Sequence, residues 1–375
     1  MIYLKNKNVK MFIILLIASF SNHTILLAEV SVTHRFHEAT ISADSCYELS
    51  QEIKAIKSLS GYNKLNSESF FNTHGSNRHC SANASLLLPP KLAKMNNRKA
   101  LISGPNCWNF ALKSVGAMSS LRYATAEEVD SLLNSPLCEM IERENTIPGD
   151  LGFITDSLGQ QVHAYIFITD NLLFAKHGNS SRDSYKLMTT KDMLKQYSRT
   201  QHCRAKNLHH KNCYNQTQYY RCNSFKSYIK EINLNQRAPK IYEFFTIIEQ
   251  IEKAIEPLVI NKKFIIRNLP KKAPEESPAY KEIAVILKNS NVLAEKLLNF
   301  KEYDTFSNSN LNSLQKSFLM SSAMARLESI THSSHHLLLK TSIRRGLDKS
   351  LFIKLKSSLK NFSNQNQWGL TITEP

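Results

Sequence analysis

The sequence predicts an α+β fold, and three observations lead to this class. Helical patterns come first, with one helix expected over residues 44–59 and another starting at Cys107. After Asp150 three segments are rich in aromatic and β-branched residues, as strands are: residues 151–155, 162–169 and 172–176. Beyond about residue 230 the cysteines stop and helical patterns rich in Lys, Glu, Leu and Ile return. Helices followed by neighbouring strands indicate α+β architecture rather than alternating βαβ units.

Composition excludes several classes of protein. The 375 residues suggest two or three domains at about 150 residues each. With 18 Phe and 14 Tyr, the chain carries more aromatic residues than a disordered, highly charged protein would. Lys and Arg outnumber Asp and Glu by 48 to 31, which gives a net charge of +17. Such a charge favours salt-sensitive binding to polyanions.

The first 28 residues have the layout of a secretory signal peptide. Three lysines precede the apolar run 11–20, and small residues follow it. Cleavage after Ser21 and cleavage after Ala28 both fit this layout, and an uncleaved N-terminal anchor is the alternative. The run is too short to span a bilayer, which needs about 20 residues. We therefore expect a signal peptide over residues 1–28 and a secreted or periplasmic protein.

The chain has an odd number of cysteines. They are Cys46, Cys80, Cys107, Cys138, Cys203, Cys213 and Cys222. Export exposes cysteines to an oxidising environment, where they pair. At least one of the seven must stay unpaired, and nucleophilic catalysis is one reason for a leftover thiol.

Cys107 is placed at a predicted helix N-terminus. Apolar residues recur at helical spacing from Trp108 to Met118, and Asn106 would be the N-cap. Unpaired N–H groups and the helix dipole at such a position lower a thiol pKa. The alternative is that Cys107 is a buried or disulfide-bonded structural residue.

Two histidines lie in the predicted strands that follow. A three-residue loop 169–171, with Asn171 in the left-handed conformation, would pair residue 168 with residue 172 and bring His163 opposite His177. A two-residue loop at 170–171 would send His177 to the other face of the sheet. A cysteine, a strand histidine and a polar residue that orients this histidine form a thiol triad. Here the chain order would be Cys107, His163, His177.

Three blocks of sequence resemble the NlpC-type and CHAP-type cell-wall hydrolases, which are papain-like enzymes. The blocks are Asn-Cys-Trp-Asn-Phe-Ala-Leu at 106–112, Pro-Gly-Asp-Leu-Gly-Phe at 148–153 and His-Ala-Tyr-Ile-Phe-Ile at 163–168. The resemblance covers residues 104–197 and implies N-terminal helices packed on a small antiparallel sheet. The chain departs from many members in carrying Trp108 after the cysteine and Tyr165 two residues after the histidine.

The resemblance implies roles for individual residues. Cys107 would be the nucleophile, with its backbone N–H in the oxyanion hole. His163 would be the general base and His177 the residue that orients it. The candidate substrate-binding residues are Asn106, Trp108 and Tyr165. The implied substrate is an amide bond in peptidoglycan peptides, so the expected partner is peptidoglycan or another cell-envelope polymer.

No cofactor and no metal are predicted. The cysteine- and histidine-bearing segment 202–222 offers a zinc site as the competing interpretation, but it contains no pair of cysteines two residues apart. Disulfides suit an exported chain better. Without Cys107, six cysteines remain for three disulfides, with at least one local pair expected among Cys203, Cys213 and Cys222.

The C-terminal region is basic. Residues 331–360 carry seven Lys or Arg against one acid, and leucines recur every four residues over 347–359. Such a helix either lies on an anionic envelope surface or docks its leucine face on its own domain. Nucleic acid is not expected, because an exported chain seldom meets it and no recognised motif is present.

These observations divide the chain into residues 1–28, a papain-like domain over 29–230 and an all-α basic region over 231–375. The expected function is that of an exported thiol hydrolase. The alternatives are a thiol acyltransferase, a non-catalytic secreted binding or scaffold protein on a papain-like fold, and an interaction protein that works through its C-terminal helices.

Overall fold

The structure is a computed structural model in which a mixed α+β fold is built from ten helices and two antiparallel sheets. These counts refer to the residues that it describes, which are 30–60, 71–73, 80–99, 105–178, 183–236, 238–268, 278–300, 310–342, 353, 354 and 357. The expected signal peptide lies outside these ranges, as does most of the leucine-bearing segment 347–359.

The two helices expected over residues 44–59 and from Cys107 are found, and they begin at Cys46 and Cys107. The described helices are α1 (Cys46–Ser60), α2 (Pro90–Met95), α3 (Cys107–Ser114), α4 (Ala126–Leu133), α5 (Thr190–Tyr197), α6 (Gln201–Ala205), α7 (Phe225–Gln236), α8 (Pro239–Asn268), α9 (Pro278–Leu298) and α10 (Ser313–Ser342). Within the described ranges, none of them combines the length and the apolar character that crossing a bilayer requires.

The larger sheet has six strands. They are β5 (Cys138–Ile141), β6 (Leu151–Thr155), β7 (Gln161–Phe167), β8 (Leu172–Lys176), β9 (Tyr185–Thr189) and β10 (Gln216–Cys222), in the spatial order β5-β10-β6-β7-β8-β9. The three predicted strands are β6, β7 and β8. Every strand is antiparallel to its neighbours.

The two faces of the larger sheet are covered by different helices. On one face α3 packs against β7 and β8, with the Phe110 ring 5.6 Å from Phe174 and 5.0 Å from Tyr185. On the other face Met193 of α5 joins a smaller apolar cluster that includes Tyr165. The alternation of β7 therefore directs its side chains towards α3 and α5 in turn.

A second, four-stranded sheet, which was not predicted, precedes the larger one. Its strands are β1 (Ser31–Arg35), β2 (Glu38–Ala43), β3 (Phe71–Thr73) and β4 (Cys80–Asn83), in the order β1-β2-β4-β3. The His34 Nε2 lies 2.8 Å from the Leu187 carbonyl oxygen, so a β1 side chain reaches the edge strand β9.

Three disulfides form, as expected from the cysteine count. Cys46 pairs with Cys80, Cys138 with Cys222 and Cys203 with Cys213. The last is the predicted local pair. Cys107 is the free cysteine, and it is buried.

The helices after β10 pack on the same apolar core as the rest of the chain. Helix α7 runs through residue 230, and buried residues of α8, α9 and α10 belong to the main core cluster. Arg326 of α10 binds the buried Glu252 of α8 through Nε at 3.0 Å and Nη2 at 2.5 Å. The division of the chain at residue 230 stays a prediction.

Candidate active site

Asn106 fixes the start of α3. Its Oδ1 accepts a hydrogen bond from the Asn109 backbone N–H at 3.0 Å, as the predicted N-cap should. Its Nδ2 donates to the Ala124 carbonyl at 2.7 Å. The side chain is 4 % exposed. Both polar atoms of the Asn106 side chain therefore bond to the protein backbone, although Asn106 was expected to bind substrate.

Cys107 is the first residue of α3 and is 6 % exposed. Burial raises the pKa of its thiol to about 11, although backbone hydrogen bonds from Ala164 and Trp108 and the charge of Lys176 act in the opposite direction. The expectation of a lowered pKa is wrong for this structure, because desolvation of the thiolate outweighs the helix terminus. At neutral pH Cys107 is a thiol.

His163 lies on β7 and is fully buried. Burial is the main cause that lowers the pKa of its imidazole to about 3, and the charges of His177 and Lys176 lower it further. No described residue, Cys107 included, hydrogen-bonds to either ring nitrogen. The imidazole lies on the face of the sheet that α5 covers, whereas Cys107 begins α3 on the other face. The two side chains are therefore a neutral thiol and a neutral imidazole that no described contact joins.

His163 and His177 lie side by side. The register of β7 and β8 pairs Ile166 with Phe174 and Phe167 with Leu173, and its continuation sets His163 opposite His177. The two rings are nearly parallel, 20° apart in plane, with centroids separated by 6.0 Å. The three-residue loop and the shared face of the two histidines are as predicted.

The loop between β7 and β8 is closed by contacts that differ from the expected ones. Asn171 is not among the described residues with positive φ, so the left-handed conformation expected for it is wrong. Instead Thr169 Oγ1 accepts hydrogen bonds from the backbone N–H groups of Asn171 at 3.2 Å and Leu172 at 3.0 Å. The Glu52 carboxyl of α1 in turn accepts from the Thr169 hydroxyl and the Asn171 side chain. Helix α1 therefore holds the loop that sets the histidine register.

Tyr197, the last residue of α5, covers the imidazole of His163. The two rings stack 3.9 Å apart with their planes 4° from parallel. The Tyr197 hydroxyl lies 3.4 Å from His177 Nδ1, and His177 Nε2 lies 3.1 Å from Met188 Sδ. Sequence reasoning missed Tyr197, because only the packing of α5 on the sheet brings it to the histidines.

Lys176, also missed, is the last residue of β8 and is fully buried. Its Nζ donates to the Gly178 carbonyl at 2.9 Å and to the His177 carbonyl at 3.4 Å. Burial lowers the pKa of the ammonium, while the charges of Asp183 and Cys107 raise it. The strand pattern of Leu172, Phe174 and Lys176 on one face was a signal that this lysine points inwards.

Two candidate substrate-binding residues have side chains that no described contact joins to the thiol. Trp108 is half-buried and packs against the core, and its indole nitrogen is among the buried atoms without a partner within the described ranges. The Tyr165 ring lies over Gly152 on the face that α5 covers, with hydrogen bonds to Tyr219 and Thr217. It lines a groove of about 400 Å³ there.

One group of side chains within the described ranges has the geometry of a metal site. Potential ligand atoms of Cys203, His210 and Cys213 lie within 4.8 Å of one another. The two sulfurs are joined in a disulfide, and only thiolate sulfur is a strong metal ligand.

Comparisons of the chain with protein-family models, with curated proteins and with solved structures find no match.

Proposed function

We propose that this protein is an exported thiol-dependent hydrolase with a papain-like domain, which cleaves amide bonds in peptidoglycan peptides. Cys107 is the nucleophile, His163 the general base and His177 the residue that orients the base. The observation that carries the proposal is the position of the free cysteine: Cys107 begins α3 and receives a backbone hydrogen bond from Ala164, the neighbour of His163.

The chemistry starts from two neutral groups. The Cys107 proton moves to a ring nitrogen of His163, and the thiolate attacks the substrate carbonyl carbon. The backbone N–H of Cys107 stabilises the resulting oxyanion. The imidazolium gives its proton to the leaving amine, and a thioester forms on Cys107. A water molecule, deprotonated by His163, then hydrolyses this thioester and restores the thiol.

The Tyr197 stack restrains the base in the resting structure. Because His163 has no hydrogen bond to Cys107, its ring must reorient before it can accept the thiol proton. The face-to-face contact with Tyr197 holds the ring where it is. We therefore assign the structure to a closed state that substrate opens by displacing Tyr197.

Several features support export and a papain-like arrangement. The three disulfides suit an oxidising compartment. A helix that begins with cysteine and packs on an antiparallel sheet with a strand histidine is the arrangement expected of the papain-like class. Binding of the basic segment 331–360 to an anionic envelope surface stays a prediction.

One observation favours a second candidate function, that of a non-catalytic binding protein on the same fold. A thiol with a pKa of about 11 and an imidazole with a pKa of about 3 would suit a site that has lost catalysis. Such a protein has no need of the Cys107 sulfur.

Release of peptides from purified peptidoglycan by the oxidised full-length protein distinguishes the hydrolase from the non-catalytic binding protein. Wild type and a control variant of an exposed histidine, His202→Ala, should both release peptides. Cys107→Ala should lose about a thousandfold or more of this activity, as enzymes do without their nucleophile. If Cys107→Ala binds peptidoglycan and acts on it like wild type, the hydrolase proposal is wrong.

A further inference from the structure

We propose that Lys176 is a positioning residue whose buried ammonium stabilises the thiolate of Cys107 from beneath the N-terminus of α3. A role for Lys176 in catalysis rests on the proposed function, in which Cys107 is the nucleophile. The electrostatic relationship itself can be measured without any substrate.

The packing of α3 on β8 places the two residues together. The Phe110 and Phe174 rings are in contact, 5.6 Å between centroids. Cys107 precedes Phe110 by three residues, so the two side chains share one face of the helix. Lys176 follows Phe174 by two residues, so these two share one face of the strand. One turn along α3 from Phe110 and two residues along β8 from Phe174 therefore bring Cys107 next to Lys176.

The head of Lys176 is held in a fixed place. It donates to the carbonyls of Gly178 and His177, and it lies 6.0 Å from the centre of the Tyr185 ring. Lysine is almost never fully buried unless its charge is matched. Both carbonyls belong to the residues directly after β8, so the backbone itself anchors the charge at the strand end that faces the thiol.

The charged and titratable groups around the thiol come from β7, β8, α5 and the residues just before β9. From β7, His163 is neutral at pH 7 because its pKa is about 3. From α5, Tyr197 presents a hydroxyl whose pKa is raised mainly by burial. Asp183, just before β9, acts on Lys176 and not directly on Cys107. Among the described residues, Lys176 is the side chain whose charge lowers the pKa of Cys107.

This arrangement separates two tasks that one imidazolium performs in a thiolate–imidazolium pair. Lys176 supplies the positive charge that balances the thiolate, while His163 carries the proton. The proton leaves the sulfur for His163 or water, and no other bond changes. His163 can therefore be neutral in the resting site and accept the thiol proton, while the balancing charge is already present on Lys176.

Alkylation of Cys107 by iodoacetamide at pH 7.5 tests the inference. This pH lies far below the thiol pKa of about 11, so the rate is proportional to the small fraction of thiolate. The oxidised full-length protein is labelled, and peptide mapping locates the label on Cys107. Lys176→Gln retains an N–H donor for the two carbonyls but removes the charge. It should react about tenfold more slowly than wild type, which corresponds to a rise of about one unit in the thiol pKa. Lys176→Arg should react like wild type.

Lys186→Gln is the matched control. Lys186 lies on the neighbouring strand β9, and its charge acts on His177. This variant should leave the rate of Cys107 alkylation unchanged. If Lys176→Gln does not fold by circular dichroism, Lys176→Met, which suits an apolar site, replaces it. A folded charge-free variant that reacts at the wild-type rate overturns the inference. Because the alkylation assay contains no substrate, this result is independent of whether Cys107 cleaves peptides.

Discussion

The phenol ring of Tyr197 lies face to face with the imidazole of His163, 3.9 Å between centroids. This contact covers one face of the proposed base. Both ring nitrogens of His163 also lack a hydrogen-bond partner among the described residues. A buried polar group without a partner costs free energy, which the rest of the fold must offset. We therefore expect Tyr197 to move when substrate binds.

Removing the Tyr197 ring should open the site. Tyr197→Ala is expected to raise the rate at which iodoacetamide alkylates Cys107 by about tenfold at pH 8, because reactivity depends on access to the sulfur as well as on the thiolate fraction. Tyr197→Phe keeps the stacked ring and should react like wild type. Peptide mapping locates the label. Equal rates for all three proteins would show that Tyr197 does not limit access.

Burial of His163 makes the fold sensitive to acid. The unfolded chain protonates this histidine below its ordinary pKa of 6.5, whereas the folded chain leaves it neutral down to about pH 3. Stability is therefore lost as the pH falls through this window, because the unfolded state binds the additional proton. Between pH 7 and pH 4.5 the loss from this group is about 2–3 kcal/mol.

His163→Phe retains a ring for the stack with Tyr197 and cannot be protonated. Urea unfolding at pH 7 and pH 4.5 should show that this variant loses about 2–3 kcal/mol less than wild type over the interval. His202→Ala, at an exposed histidine, should behave as wild type does. An equal loss in His163→Phe and wild type would contradict the burial of a neutral His163.

How far the sequence predicted this site depends on how local each interaction is. The Asn106 cap and the histidine register follow from neighbouring residues and from counting along a hairpin, and both are found. The conformation of Asn171 was predicted wrongly, because the contact to Glu52 comes from a helix more than a hundred residues earlier. Lys176 and Tyr197 were missed because their positions arise only when α3 and α5 pack on opposite faces of the sheet.

Two further features of the structure differ from the predictions, the first sheet and the pKa of Cys107. The strands of the first sheet are short, and β1, β2 and β4 contain serine or threonine and lack the aromatic residues that mark β6 to β8. The alternation of Ala39, Ile41 and Ala43 with polar residues in β2 was the one signal for this sheet. The thiol pKa was expected to fall because of the helix terminus, which is a local effect. Its rise comes from burial, which depends on the whole fold.

Loss of the Asn106 cap should destabilise the start of α3 and lower the free energy of unfolding. Asn106→Ala leaves the Asn109 N–H and the Ala124 carbonyl without their partner in a buried place. We expect a loss of about 1–2 kcal/mol in the free energy of unfolding, measured with urea. Asn106→Ser keeps an acceptor for the cap without placing a charge against the Ala124 carbonyl, and it should lose less. Equal stabilities of Asn106→Ala and wild type would contradict the capping role.

The close packing of Tyr165 on Gly152 should make that glycine intolerant of any side chain. A Cβ at Gly152 would overlap the Tyr165 ring, so Gly152→Ala is expected to destabilise the protein by about 1–3 kcal/mol. Tyr165→Ala removes the obstacle. In a double-mutant cycle, the pair of substitutions should therefore cost less than the sum of the two single ones. Additive effects would show that the two residues are not in contact.

Trapping of the thioester on Cys107 is the most direct test of covalent catalysis by this thiol. The oxidised protein is mixed with soluble peptidoglycan peptides, quenched in acid within the first turnovers and mapped by mass spectrometry. We expect an acyl group on the peptide that contains Cys107, removable by hydroxylamine and absent from Cys107→Ala. Peptide cleavage that proceeds equally well in Cys107→Ala, with no acyl group on wild-type Cys107, would contradict this mechanism.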